Sequence, residues 1–170
     1  MTKLQGSLEA CCGCGARFLP SDGPRHAYMI SSPSCYQAFG SLLEKEYSNS
    51  ALTVTHRLNV DTYAVQHPGH EKDRRAVQSH GLHLARLMLQ LENVLPPRET
   101  NDVMLGMGRY KESLKALTPP PSYRLTVKDV LPFAGTKQHS EKVREWAKAT
   151  WEDYREHHDY IRDWVKNLPL

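Results

Sequence analysis

The sequence lacks any apolar run approaching the ~18 residues that a membrane-spanning helix requires. The first ten residues also lack the apolar segment of a secretory signal, although they contain Lys3. We therefore expect no membrane segment and a protein that stays in the reducing cytoplasm.

Blocks of positive charge are also absent. The formal net charge is +3, and acidic residues interrupt the one basic cluster, at positions 71–75. A solvated helix start explains that cluster better than a phosphate-binding patch does. Because no basic, aromatic-lined face is visible, the sequence does not favour nucleic acid as a partner.

The four cysteines all lie between positions 11 and 35. In a reducing compartment, such a group favours metal ligands over disulfides. Cys11 and Cys14 form a C-x-x-C pair, and Gly15 permits the tight turn of a metal knuckle. Cys35 falls in the first turn of a predicted helix, where the helix dipole favours the thiolate. A redox C-x-x-C pair is the alternative, but it is typical of a βαβ context that this sequence lacks. We predict a zinc ion bound by these three thiols.

A histidine is the expected fourth ligand, and the spacing leaves three candidates. His26 is nearest in sequence to the thiols, His67 ends a predicted helix beside a Pro-Gly turn, and His83 lies on the predicted core helix. Any of them would complete a Cys3His shell. The predicted metal ligands are therefore the three cysteines together with His67 and His83, with His26 as a further possibility.

Apolar residues recur at helical spacing through most of the chain, which predicts an all-α fold. Ser32 and Pro33 are typical of the N-cap and first position of a helix. Thr126 and Asp129 resemble a capping box that begins a short helix. We expect a single domain, residues 1–170, with a metal-binding N-terminal loop over 1–32 and a helical body over 33–170. The main helices are predicted at 36–47, 52–66, 74–91 and 143–165, with a less regular one at 100–117.

Asp61 is the most informative single polar residue. It lies in a helical row whose other members are apolar: Val54, Leu58 and Val65. A buried carboxylate is costly unless it is paired, and it often holds the second ring nitrogen of a histidine. We predict that Asp61 is buried and hydrogen-bonded to His83 or His56, the alternative being an arginine partner or an exposed helix edge.

A wider polar cluster is a further possibility. His157 also lies inside an apolar helical row, and it could meet Asp61, His56 and His83 in the interior. Such a group would suit a catalytic metal or an acid–base site. His56 and Asp61 are therefore the candidate catalytic residues.

Several motifs resemble those of a family of small bacterial proteins with no assigned activity. They read C-x-x-C-G, H-x-Y-M-x-S-S-P-x-C-Y, H-R-L-x-V-D-x-Y-x-V-Q-H-P-G and H-L, at positions 11–15, 26–36, 56–69 and 83–84. The resemblance covers residues 11–95, with a looser similarity in the last helix. It implies a bacterial origin and a shared polar set that includes His83 but not His80, and it implies no reaction.

Three functions follow from these features. The first is a small metalloprotein in which zinc stabilises the N-terminal segment and the protein binds a small molecule or a protein partner. The second is a metal-dependent enzyme that uses the interior His/Asp cluster. The third is an enzyme with Cys35 as a nucleophile, activated by a histidine.

Overall fold

A computed structural model describes residues 7–93 and 95–169, apart from the side chain of Pro97. Seven α-helices and one two-stranded hairpin make up its regular structure, which confirms the all-α prediction. The first six residues of the predicted N-terminal loop lie outside the described part. The elements are β1 Glu9–Ala10, β2 Arg17–Phe18, α1 Pro33–Ser48, α2 His56–Gln66, α3 Arg74–Glu92, α4 Pro97–Gly106, α5 Val127–Val130, α6 His139–Asp153 and α7 His158–Lys166.

Helix α1 begins where the sequence predicts. The Ser32 side chain accepts a hydrogen bond from the backbone N–H of Cys35 at 3.2 Å, and Pro33 occupies the first helical position. The cap fixes the first turn and therefore the direction of the Cys35 side chain, which is fully buried. A capping box of Thr126 and Asp129 likewise begins α5.

Helices α2 and α3 pack against each other and against α6, and their shared surface forms the centre of the core. Large side chains with almost no exposed surface fill this region: Tyr63, Leu84, Leu87, Leu89, Trp146 and Tyr154. Burying a side chain of this size contributes roughly 1.5–3 kcal/mol. Among the described residues, no helix is long and apolar enough to cross a membrane.

The start of the second predicted helix differs from expectation. Residues Ser50–Thr55 form a 3-10 helix, and the α-helical part begins only at His56. A 3-10 helix has about three residues per turn, so its side chains fall out of phase with the α-helical row. Val54 consequently is 69% exposed rather than part of the core row that contains Asp61.

Two further predicted helices are interrupted. The helix expected at 100–117 is α4 followed by a 3-10 helix, Met107–Ser113, which starts between Gly106 and Gly108. The long last helix breaks at Tyr154, followed by the 3-10 helix Arg155–His157 and then α7. The buried Tyr154 hydroxyl donates a hydrogen bond to the Val65 carbonyl at 2.9 Å, which ties the break to α2.

His80 lies inside the core beside this break. Because the Tyr154 hydroxyl donates to Val65, it can accept the His80 Nε2–H at 2.8 Å. Burial lowers the pKa of His80 from its ordinary value of 6.5 to about 3. The folded state therefore favours the neutral ring.

This environment predicts a specific pH dependence of stability. Between pH 6.5 and 3 the unfolded chain protonates His80 while the folded chain does not, so the stabilisation present above pH 6.5 is lost as the pH falls. Between pH 7.5 and 5.5 the loss is about 1.4 kcal/mol. The difference in unfolding free energy between the wild type and His80→Gln should shrink by that amount, measured by urea unfolding. The exposed His70 supplies the control, His70→Gln; equal pH profiles for wild type and His80→Gln would contradict the prediction.

Candidate metal centre

The hairpin β1–β2 positions the first two thiols. Glu9 pairs with Phe18 and Ala10 with Arg17, so the chain from Cys11 to Ala16 forms the turn between the strands. The Cys11 N–H donates to the Ala16 carbonyl at 2.8 Å, and the Gly15 N–H donates to the Cys11 carbonyl at 2.9 Å. Gly15 has φ = 78°, a left-handed conformation that favours glycine. This turn aims the buried Cys11 and Cys14 side chains inward and leaves Cys12 exposed.

Four side chains from three separate segments meet beneath this turn. They are Cys11 and Cys14 from the hairpin, Cys35 from the first turn of α1 and His67 from the end of α2. All four residues are buried, and their ligand atoms lie within 4.8 Å of one another. We call these four residues, which could hold a metal ion, the Cys3His group.

The distances within the Cys3His group match tetrahedral coordination. The Sγ atoms of Cys14 and Cys35 are 3.7 Å apart, and Nε2 of His67 lies 3.3 Å from the Cys35 Sγ. Zn–S bonds of about 2.3 Å and Zn–N bonds of about 2.0 Å at tetrahedral angles give edges of roughly 3.8 and 3.5 Å. These two pairs of ligand atoms therefore already have the spacing of a tetrahedral site.

His67 is held in the tautomer that a metal requires. Its Nδ1 donates a hydrogen bond to the Tyr63 carbonyl at 2.6 Å, so Nε2 presents its lone pair to the thiols. The ring also stacks on Tyr63, with the two ring centroids 3.9 Å apart. A backbone carbonyl and an aromatic face thus fix this imidazole before any ion arrives.

The three sulfur atoms share negative charge unequally. Hydrogen bonds from the Cys14 and Cys35 thiols, with one from the Ser32 N–H at 3.3 Å, hold the pKa of Cys11 far below its usual range. The hydrogen bond that the Cys14 thiol donates to Cys11 raises the pKa of Cys14 to about 12, and the pKa of Cys35 is raised for the same reason. A bound cation would instead favour the thiolate form of all three cysteines, which is the form that coordinates a metal.

The other histidines considered from sequence lie elsewhere. His83 is not part of the Cys3His group; its Nδ1 is bonded to Asp61 at 2.6 Å. His26 also lies outside the group; its ring packs edge-on against Tyr28. Of the three candidates for the fourth ligand, the structure brings only His67 to the thiols.

The predicted contact between Asp61 and a histidine is confirmed. Asp61 is 1% exposed, its Oδ1 accepts from His83 Nδ1, and its Oδ2 accepts from Gln90 Nε2 at 2.7 Å. The wider polar cluster that the sequence suggested, in contrast, does not form, because two of its histidines bond elsewhere. His56 bonds to Glu46 instead of Asp61, and His157 Nε2 donates to the Thr118 carbonyl at 2.9 Å.

Two further buried polar residues, Glu46 and His139, were not predicted from the sequence. Glu46 is fully buried; its Oε2 lies 2.8 Å from His56 Nδ1 and its Oε1 lies 3.1 Å from His139 Nε2. The Gly135 N–H donates to His139 Nδ1, so His139 Nε2 carries the proton and donates to Glu46. The sequence contains a pattern that indicates the burial of Glu46: this residue continues the helical row of α1 formed by Cys35, Phe39 and Leu42.

The fold and the site together define a small helical protein with a buried Cys3His group. A family model described as "Family of unknown function (DUF5946)" matches residues 9–155, and the chain belongs to that family. Neither the curated proteins nor the solved structures gave a match.

The turn closes tightly over His67 and leaves no space for a side chain at Gly13. A Cβ at position 13 would lie 2.6 Å from Cδ2 of His67 and would also collide with the Ile30 carbonyl. Gly13→Ala should lower the unfolding free energy by about 2 kcal/mol through overpacking. Gly40, exposed in α1 with open space around its Cα, is the control; Gly40→Ala should be neutral or stabilising by up to about 1 kcal/mol. Equal effects in urea unfolding would contradict the geometry.

The Asp61 contacts give a second prediction. In Asp61→Asn one of the two donors, from His83 or Gln90, meets an amide NH2, so the unfolding free energy should fall by about 1–3 kcal/mol. Metal content should not change, because Asp61 lies outside the Cys3His group. The exposed Asp102 supplies the control, Asp102→Asn. Loss of metal from folded Asp61→Asn, measured by elemental analysis, would contradict this separation.

Proposed function

We propose that the protein binds one zinc ion through Cys11, Cys14, Cys35 and His67, and that this zinc is structural. The observation that carries the proposal is the convergence of four buried ligand atoms within 4.8 Å of one another. Soft thiolates with one imidazole in a tetrahedral arrangement favour zinc over the hard cations Mg²⁺ and Ca²⁺.

The number of ligands supports a structural role. Four protein ligands close a tetrahedral shell, whereas catalytic zinc sites have three protein ligands and an open position for water. Cys35 and His67 are each 0% exposed, and Cys11 and Cys14 are 3% and 5% exposed. Burial of all four ligand residues would place the ion beneath the protein surface.

The zinc would attach the N-terminal loop to the helical body. Between β2 and α1 the chain has no regular secondary structure, and the two hairpin thiols meet α1 and α2 at the Cys3His group. Because a preformed site does not exist in the unfolded chain, the free energy of zinc binding contributes to folding. We place the protein in a reducing bacterial cytoplasm, which keeps such cysteines reduced.

The alternative of a metal-dependent enzyme with an interior His/Asp cluster has less support. Within residues 7–93 and 95–169, one group of side chains is able to hold a metal, and it contains neither Asp61 nor His83. His56 and Asp61, the candidate catalytic residues, belong to two different hydrogen-bonded pairs.

Elemental analysis of protein purified without a histidine tag tests the proposal. We expect one zinc per wild-type chain, and loss of zinc in Cys14→Ser with a fall in Tm of about 5 °C or more, because the binding free energy contributes to folding. The matched control is Cys12→Ser, which changes an exposed thiol in the same turn and should keep zinc and Tm. A thiol reagent should label only Cys12 quickly until a chelator is added. Fast labelling of the other three thiols in untreated, folded protein would overturn the proposal.

A further inference from the structure

An open cavity with a volume of ≈ 1020 Å³ lies beside the start of α2 and the end of α3. His56 and Leu58 line it from α2, Leu89 and Gln90 from α3, and Arg144 from α6. It shares no residue with the Cys3His group. The cavity is large enough for a small organic molecule.

The charge of the cavity wall is of one sign. Arg57 and Arg144 both line it, and no aspartate or glutamate occurs among its described lining residues. Each guanidinium contacts a neutral acceptor, Arg57 the Asn101 side chain at 3.0 Å and Arg144 the Ser140 carbonyl at 3.4 Å. Neither forms an ion pair with the described part of the chain. Two uncompensated guanidinium groups at one cavity favour an anionic ligand.

His56 adds a fixed polar group to the same wall. Its Nδ1 is bonded to the buried Glu46 carboxylate at 2.8 Å, and His139 holds the other oxygen of that carboxylate. The His56 ring is therefore oriented by a buried support, and its side chain is 31% exposed. Because Nδ1 donates to Glu46, Nε2 presents its lone pair; within the described residues it has no hydrogen-bond partner, so it can accept a hydrogen bond from a ligand. A ring held in this way requires little reorganisation when a ligand binds.

The remaining wall includes apolar side chains. Val54, Leu58 and Met104 are 69%, 8% and 5% exposed, and all three line the cavity. A wall that combines apolar side chains with a few converging polar groups is typical of small-molecule sites. The ligand that complements it has an apolar body as well as a negative charge.

We propose that this cavity binds a small organic anion. Its carboxylate or phosphate group pairs with Arg57 and Arg144, its apolar body packs on Val54, Leu58 and Met104, and His56 Nε2 accepts a hydrogen bond from an N–H or O–H group of the ligand. The proposal does not depend on zinc at the Cys3His group.

Calorimetric titration of the full chain with three eight-carbon probes tests the proposal. Octanoate and octyl phosphate carry the two anionic groups, and 1-octanol carries the same apolar body without charge. We expect at least one anion to bind at least tenfold more tightly than 1-octanol, and the stronger of the two identifies the preferred group. Equal affinity for 1-octanol and both anions, or no binding of either anion, would overturn the proposal.

Substitutions locate the bound anion. Arg144→Met changes an exposed side chain and should fold normally, and it should weaken binding of the preferred anion about tenfold or more. Arg109, exposed and outside the cavity lining, provides the matched control, Arg109→Met, which should bind as the wild type does. Arg57→Met is the second variant if Arg144→Met fails to fold. Unchanged affinity in a folded cavity variant, or equal weakening by Arg109→Met, would contradict the assignment.

Discussion

The close packing of three sulfur atoms and one imidazole nitrogen is the constraint on which the N-terminal half of the structure depends. Hydrogen bonds to Cys11, together with the repulsion between like-charged thiolates at a separation of 3.7 Å, raise the pKa of Cys14 and Cys35 in the absence of a cation. A divalent cation would remove that repulsion and allow all three cysteines to become ligands. The same cation would link the β1–β2 turn to the first turn of α1 and the end of α2. This link would order the N-terminal loop, which has little regular structure.

Helix α2 connects this centre to the rest of the molecule. Its carboxyl end carries His67, fixed by the Tyr63 carbonyl, and Tyr63 in turn stacks on Phe39 of α1. Its middle carries Asp61, which bonds to α3, and its amino end carries His56, which bonds to α1 through Glu46. Three polar contacts along one buried helix thus fix its register against its neighbours. His56, which makes the last of these contacts, also lines the cavity.

Local spacing was enough to predict the parts of the fold and site that local physics determines. The C-x-x-C turn, the Ser32 cap that orients Cys35 and the buried row that contains Asp61 all rest on residues within a few positions of one another. Interactions between distant segments could not be derived in this way. Spacing left three histidines as possible fourth ligands, and the α6–α7 break at Tyr154 interrupts a continuous helical pattern because its hydroxyl bonds to α2. The burial of Glu46 likewise depends on His139, which lies far along the chain.

X-ray absorption spectroscopy at the zinc edge, on untagged protein, tests the central claim most directly. The structure predicts three sulfur ligands at about 2.3 Å and one nitrogen ligand at about 2.0 Å, with the outer-shell scattering of an imidazole ring. In folded His67→Ala the imidazole contribution should disappear while the three sulfur ligands remain. A shell with fewer than three sulfur atoms, or a bound oxygen in the wild-type protein, would contradict a closed structural Cys3His site.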